Sequence, residues 1–498
     1  MSPPPRSDDE QLRTPLFDAM VNLAESRKVS FHTPGHKSGK GISTRFRKFV
    51  GPKIFTIDLT TLDEVDSLQN PTGVIKEAQE LAARAAGADR SYFLVNGTTV
   101  GNHAMVASAT GPGDTILIAR NCHRSVLTGL IVSGAKPVFF QPSFDRDLKL
   151  TLNMTFDTVK EAIDANPGAR ALLITSPNYY GLCADIERII PYARERGLIV
   201  LVDEAHGPHL KFHPRLPKCA LDAGADLCVQ STHKIVGGMT QASMLHARSG
   251  RVNVDDVTNT LKLLQTTSPS YILMASLDLA RMQMATEGKK LLNRAIKLAE
   301  EARAEINKIP GVSCFTKERA RQAGMADMDV TKLTITVSDM GLSGYQVSQM
   351  LNARFGIQVE MADPFHVLVI VSIGDRQDDL HRLVEALRQI ASETGLQGAL
   401  LPLDKVHPPV LTNRFVMTPR EAFYSDTELI SVGRAAGRVA AEIVTVYPPG
   451  IPLLVPGEEI SSDAIDYITN MAGLGAIIDG LNENNSMVRV VNPTYAAS

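Results

Sequence analysis

Between residues 73 and 240, short apolar runs alternate with helical patterns, and this alternation constrains the fold more than any other feature. The runs Tyr92–Val95, Thr115–Ile118, Pro137–Phe140, Ala171–Thr175, Leu198–Val202 and Leu227–Val229 are short and continuously apolar or β-branched. Among them lie the helical patterns Val74–Ala86, Val100–Ala109, Thr158–Asn166 and Arg188–Arg196. A strand that is apolar on both sides must be covered on both sides. The pattern therefore predicts an α/β fold, a mostly parallel sheet with helices on each face. Ligands of such sheets bind beyond the carboxyl ends of the strands.

The flanks read as separate units. Residues 1–30 form an arm and a helix, with Thr14 as N-cap and Pro15 in the first turn. The large sheet-bearing domain is expected over 31–290. Ala275–Ile309 is a long helical stretch, expected to bend or break as it leaves that domain. Strands Lys332–Val337 and Val367–Val371, with helices Gly344–Arg354 and Asp378–Ala391, predict a smaller α+β domain over 291–400. Pro402–Pro409 resembles a linker, and 401–498 is a C-terminal domain.

Charge and composition exclude several functions. Across 498 residues, 51 Lys and Arg face 54 Asp and Glu, a net charge of -3, which provides no basic nucleic-acid face. There is no tryptophan and no long apolar run, so no membrane span is expected. The polar opening MSPPPRSDDE is not a secretory h-region, and a cytoplasmic location is expected. Cys122, Cys183, Cys219, Cys228 and Cys314 are odd in number and scattered, which suits reduced core thiols rather than disulfides or zinc ligands.

Four stretches carry chemistry. Lys234, in Gln230-Ser-Thr-His-Lys234, lies just past the strand Leu227–Val229. A lysine there is ordinarily solvent-facing, but partly desolvated it is a nucleophilic amine suited to Schiff-base chemistry. Asp203 ends the preceding strand, where a buried acid needs a partner. A lysine for the aldehyde and a carboxylate for the ring nitrogen are what pyridoxal phosphate requires. Asn96-Gly-Thr98-Thr99 joins a strand to a helix N-terminus, a natural phosphate cradle or an ordinary capped helix. His123, after the strand Thr115–Ile118, is placed to stack on a planar ring.

With these stretches in hand, the chain resembles the Orn/Lys/Arg decarboxylases of fold-type I, which share the aspartate-aminotransferase fold. The matching stretches are His32-Thr-Pro-Gly-His-Lys37, Asn96–Thr99, Arg120-Asn-Cys-His123, Val202–Gly207, Ser231–Lys234, Thr266-Thr-Ser268 and Tyr447–Pro452. They run in family order across nearly the whole chain, most like the short biosynthetic arginine decarboxylases. The resemblance implies that Lys234 carries pyridoxal 5'-phosphate as an internal aldimine and that Asp203 pairs with the pyridinium nitrogen. It implies that His123 stacks on the ring and that Thr98, Thr99, Ser231 and His233 hold the phosphate. His206 is taken as a further cofactor contact. Ser268 is placed near the phosphate of a neighbouring subunit, so a homodimer with an interfacial site is expected. Glu360 matches a glutamate that meets the substrate's distal cation. The family often has Asn/Ser-x-Thr-Tyr where this chain has Ser176-Pro-Asn-Tyr179, so Asn178 is not assigned a role.

The implied reaction is removal of the α-carboxylate of a basic amino acid, arginine before lysine or ornithine, with Lys234 or His233 returning a proton to Cα. The cationic side chain needs carboxylates. Besides Glu360, the cluster Asp58, Asp63, Glu64 and Asp66 is a candidate source, with Asp66 taken as a substrate ligand, and Glu421 is a third option. Other readings are poorer. Gly35-His-Lys-Ser-Gly-Lys40-Gly41 has the wrong spacing for a P-loop and lacks its Ser or Thr. His206, His209 and His213 would make a metal site only on a helix that Gly207, Pro208 and Pro214 interrupt. An aminotransferase, or a catalytically silent relative with a partner-binding role, shares the fold.

Overall fold

The computed structural model describes residues 10–394, 406–409, 411, 414–447, 450–482 and 484–492. The arm before residue 10, residues 402–405 of the expected linker, and Pro448 and Pro449 of the last motif lie outside these described residues.

The apolar runs form one seven-stranded sheet. Its strands are β1 (Arg90–Leu94), β2 (Thr115–Ala119), β3 (Lys136–Phe140), β4 (Ala171–Thr175), β5 (Ile199–Asp203), β6 (Leu227–Gln230) and β7 (Ser243–Ala247), in the order β1-β7-β6-β5-β4-β2-β3. The pairs from β3 through β6 are parallel, and β7 runs antiparallel to β1 and β6. Neighbouring residues of one strand enter opposite cores. Leu172 and Val200 pack on one face, Leu173 and Leu201 on the other. This two-sided burial is why the strands read as continuous apolar runs.

Five helices matter for the site. They are α1 (Pro15–Glu25), α2 (Val74–Ala86), α3 (Gly97–Ala109), α4 (Arg124–Ser133) and α5 (Tyr271–Ile306). Pro15 opens α1 as expected, although Thr14 makes no side-chain cap. α3 lies close on β6. A Cβ at Gly101 would stand 2.3 Å from Val229 Cγ2, so only glycine permits this approach. The expected break in the long helix is absent. α5 runs unbroken for 36 residues, capped by Ser270, and contains no proline. Its first turns pack with α1, and its last turns pack under the small sheet.

The small sheet is antiparallel, ordered Ser313–Cys314, β8 (Lys332–Thr336), β9 (His366–Ile370), Met361–Ala362. The C-terminal residues pair Thr427–Ser431 with Met487–Val491 and place Val444–Tyr447 between Ile451–Leu454 and Ile477–Asp479. All five cysteines are free and buried. No helix among the described residues is long and apolar enough to cross a membrane.

One buried ion pair ties the C-terminal residues to the large sheet. Arg120 Nη2 lies 2.8 Å from Glu458 Oε2, and the guanidinium also donates to the carbonyls of Pro452 and Leu453. Both side chains are buried. Removing one partner strands the other charge in a dry interior. Arg120→Met is expected to cost about 3–5 kcal/mol of stability, read as a fall in the urea midpoint.

Candidate active site

The strand ends converge on a cavity of about 390 Å³. Its wall includes Asn96 to Thr99, Asn102, His123, Asn178, Tyr179, Asp203, His206, Ser231, His233 and Lys234. These residues come from segments far apart in sequence. Register explains their meeting, since Asp203 aligns with Thr175 on β4 and Val229 on β6, so neighbouring strands finish at one level.

Asp203 ends β5 at 2 % exposure. Its Oδ2 accepts from Asn102 Nδ2 at 2.8 Å, and its Oδ1 from the Ala205 N–H at 3.1 Å. Asn102 also donates to Ser125 Oγ at 2.9 Å, and the Ser125 hydroxyl donates onward to His123 Nδ1 at 2.8 Å. The Ser125 N–H points at the same nitrogen, so Nδ1 is an acceptor. The His123 ring is open to the cavity but walled by protein. Desolvation, only partly offset by Asp203, holds its pKa below the ordinary histidine value.

At the opposite end, the N-terminus of α3 meets the short helix Thr232–Ile235. Thr98 Oγ1 bonds Ser231 Oγ and lies 3.0 Å from Ser243 Oγ. His233 Nδ1 donates to the Ala242 carbonyl at 3.0 Å, which leaves Nε2 uncommitted by that bond. Free N–H groups, hydroxyls and a helix N-terminus together suit a phosphate.

Lys234 lies between these ends. Its Nζ is 2.9 Å from His206 Nε2 and 5.2 Å from the centre of the Tyr179 ring. Desolvation lowers its pKa, while Asp203 and Glu360 act the other way. A partly desolvated amine near a buried carboxylate is the pair the sequence pointed to. The buried Thr175 Oγ1 and Asn121 Oδ1 also line the cavity and have no protein partner. With the cradle and the Lys234–Asp203 pair, these atoms fit a polar planar phosphate ester.

Not every expected residue lines the cavity. Thr98, Thr99, His123, Asp203, His206, Ser231, His233 and Lys234 do. Ser268 is exposed on a loop outside it, with its N–H bonded to Thr266 Oγ1. Glu360 is exposed just before Met361–Ala362, and its charge is felt by Lys234 and His233.

For Asp66 the structure revises the expectation of a substrate ligand. Its carboxylate accepts from the N–H groups of Ser67, Thr72, Gly73 and Ile75, capping α2. Those bonds occupy its lone pairs. In the same loop, Asp58 meets His36 at 3.1 Å and Glu64 pairs with Lys28. Glu421 closes a capping box with Thr418. The histidines weighed as metal ligands have other partners, His209 beside Asp329 and His213 on Asn293.

Sequence reasoning missed Asn102 and Lys332. Lys332 is wholly buried on β8, with Nζ 3.1 Å from His206 Nδ1. A lysine at the head of the short β-branched strand Leu333–Thr336 was the available signal.

Fold and site together define a fold-type I pyridoxal-phosphate enzyme. Residues 14–379 match the Orn/Lys/Arg decarboxylase major domain and 409–486 its C-terminal domain, and the chain belongs to this decarboxylase family. It is 42% identical over 487 residues to an arginine decarboxylase of Bacillus subtilis, covering 98% of this chain and 99% of that protein. An arginine decarboxylase of Bacillus anthracis is 42% identical over 473 residues, covering 94% and 95%. A lysine decarboxylase structure from Francisella novicida superposes with a TM-score of 0.84 at 23% identity, over 97% of this chain and 82% of that one.

Glu204, next to Asp203, points away into the core. It accepts from Ala220 N at 2.8 Å and Gln230 Nε2 at 2.6 Å, and burial raises its pKa to about 7. The folded state then holds a proton that the unfolded chain releases. Its contribution is full below the unfolded pKa of about 4.5 and is lost as pH rises through about 7. The loss is on the order of 3 kcal/mol. Chemical denaturation of Glu204→Gln across that window is expected to show a flatter stability profile than the native protein.

Proposed function

We propose that the protein decarboxylates L-arginine to agmatine and carbon dioxide, as a step in polyamine formation. The observation that carries the reaction type is that Lys234 and Asp203 line one cavity together with the hydroxyl-bearing N-terminus of α3. The near full-length likeness to arginine decarboxylases supports the substrate.

Pyridoxal phosphate supplies the electron sink for the pair left when carbon dioxide departs. The residues divide the remaining work. Lys234 is the amine that anchors the cofactor. Asp203, held in place by Asn102 and the Ala205 N–H, would pair with the ring nitrogen and hold its proton. His123, oriented through Ser125, would lie against the ring. Thr98, Thr99, Ser231 and His233 would hold the phosphate, and His206, 2.9 Å from Lys234 Nζ, would contact the cofactor. Lys234 or His233 returns a proton to Cα. Tyr179 lends an apolar face to the wall, where a scissile carboxylate is poorly solvated.

The site is completed by a second copy of the chain. Ser268 lies outside its own cavity and is exposed, as a residue reaching a neighbour's phosphate would be. Phe31 and Phe49 are 92% and 89% exposed, which suits a covered face. Glu360, whose charge is felt by Lys234, meets the substrate's distal cation. The enzyme works in the cytoplasm.

The test is amine and carbon dioxide release from the protein loaded with pyridoxal phosphate and offered arginine, lysine and ornithine separately. Agmatine is expected. Cadaverine or putrescine would overturn the substrate, and no amine would overturn the activity. Lys234→Ala should lose the cofactor's visible absorbance, and Asp203→Asn should cut kcat by about a hundredfold or more. Sedimentation of an active monomer would overturn the dimer.

A further inference from the structure

On the ring of pyridoxal phosphate the aldehyde carbon stands opposite the nitrogen. The phosphate arm leaves one flank, and a phenolate oxygen stands on the other. With Asp203 at the nitrogen, Lys234 at the aldehyde, and Thr98 and Ser231 at the phosphate, only the phenolate is left without a partner. Sheet order fixes where it faces. β5, which ends in Asp203, lies between β6 and β4. Thr98 follows β1 and Ser231 follows β6, so the phosphate flank lies on the β6 side. The phenolate flank therefore faces the end of β4.

Asn178 stands there, just past β4, and borders the cavity at 7% exposure. Its amide has one orientation. Oδ1 accepts the Tyr180 N–H at 3.1 Å and the Leu182 N–H at 3.0 Å. The amide nitrogen could not take its place, because it has no lone pair to offer. Nδ2 is thus the free end, and among the described residues it has no hydrogen-bond partner. The turn that carries it is closed by two backbone bonds, Asn178 N to Leu182 O and Gly181 N to Asn178 O, both at 3.0 Å.

The amide beyond the next strand, Asn121 after β2, has the opposite polarity. Asn153 Nδ2 donates to the carbonyls of Thr175 and Leu182, so its Oδ1 is the acceptor for Asn121 Nδ2 at 3.4 Å. Asn121 is left with a buried, unpartnered Oδ1 at the cavity, and a carbonyl oxygen cannot donate to a phenolate. The unpartnered Thr175 Oγ1 can donate or accept and does not discriminate. On this flank the amide donor is Asn178.

We propose that Asn178 binds the cofactor, its Nδ2 donating to the phenolate oxygen. The sequence assigns this residue no role, whereas the count of donors and acceptors around it does. A hydrogen bond donated to an ionised oxygen favours the ion and is stronger than one between neutral groups. This inference rests on the reading of Lys234 and Asp203 as the cofactor's anchors, because they orient the ring.

The experiment compares two ligands that differ in this oxygen alone. Full-length protein freed of cofactor is dialysed to equilibrium against pyridoxal phosphate and, separately, against 3-deoxypyridoxal phosphate, and both dissociation constants are read. Asn178→Asp keeps an oxygen for the N–H groups of Tyr180 and Leu182 and puts an acceptor where the donor stood. Its loss of affinity is expected to be about tenfold or more greater for pyridoxal phosphate than for the analogue. An equal loss for both ligands, or no loss, would overturn the proposal. Should that variant not fold, Asn178→Ser keeps a short acceptor for the same N–H groups and withdraws the donor from the cavity. The same selective loss is expected of it, and its absence would overturn the proposal. Lys234→Ala is the separate check. If it bound pyridoxal phosphate as tightly as the native protein, the anchoring reading would fall and the proposal with it, whereas the Asn178 results strike the proposal alone.

Discussion

The Asp203 carboxylate is a charge buried at the end of a strand, and much of the site follows from the need to satisfy it. It is almost wholly shielded from solvent, so protein donors must satisfy most of it. Asn102 supplies one, which requires α3 to lie close on the sheet. Gly101 makes that approach possible. The same amide group continues through Ser125 to His123, so one polar chain sets both the carboxylate and the ring opposite it. Buried hydrogen bonds in a chain polarise one another and hold their members in place. Here the polar chain gives fixed geometry to groups that come from β5, α3 and the N-terminus of α4.

The other half of the site is electrostatic rather than geometric. Three basic side chains, Lys234, His206 and Lys332, are in line within hydrogen-bond distance. Like charges packed this closely would repel strongly in a poorly solvated interior. The cluster is tolerable because desolvation lowers the pKa of each member, and because Asp329 and Asp203 stand at its two ends. The small sheet thus brings a buried amine to this cluster without lining the cavity itself.

Much of this was legible in the sequence, and the failures have physical causes. Continuous apolar runs located six strands of the large sheet because two-sided burial leaves a strong imprint. β7 escaped because it carries Ser243 and His246, buried polar groups that pair with Thr98 and with Ser91 and Gln230. Lys234 and Asp203 were readable because each stands at a strand end, where function is expected. Lys332 was not, because no pattern along the chain reveals which buried ring a lysine stem will reach. The acids Asp66 and Glu421 were read as possible ligands of a cation, yet they serve backbone N–H groups. For Glu421 the Thr-x-x-Glu pattern of a capping box was present in the sequence. The long helix was expected to bend or break as it leaves the large domain. It continues because rigid helix, rather than loop, carries the chain from one core to the next.

The Arg120–Glu458 contact has a bearing on how relatives of this protein can be recombined. Arg120 sits three residues before His123, and it reads two backbone carbonyls of the C-terminal residues as well as one carboxylate. The C-terminal unit is therefore not an interchangeable module. A crossover that brings in a foreign tail must also bring a carboxylate that reaches this guanidinium, or the loop bearing His123 inherits an orphaned cation beneath it. Segments 115–125 and 450–458 must therefore be exchanged together, although more than 300 residues of chain lie between them.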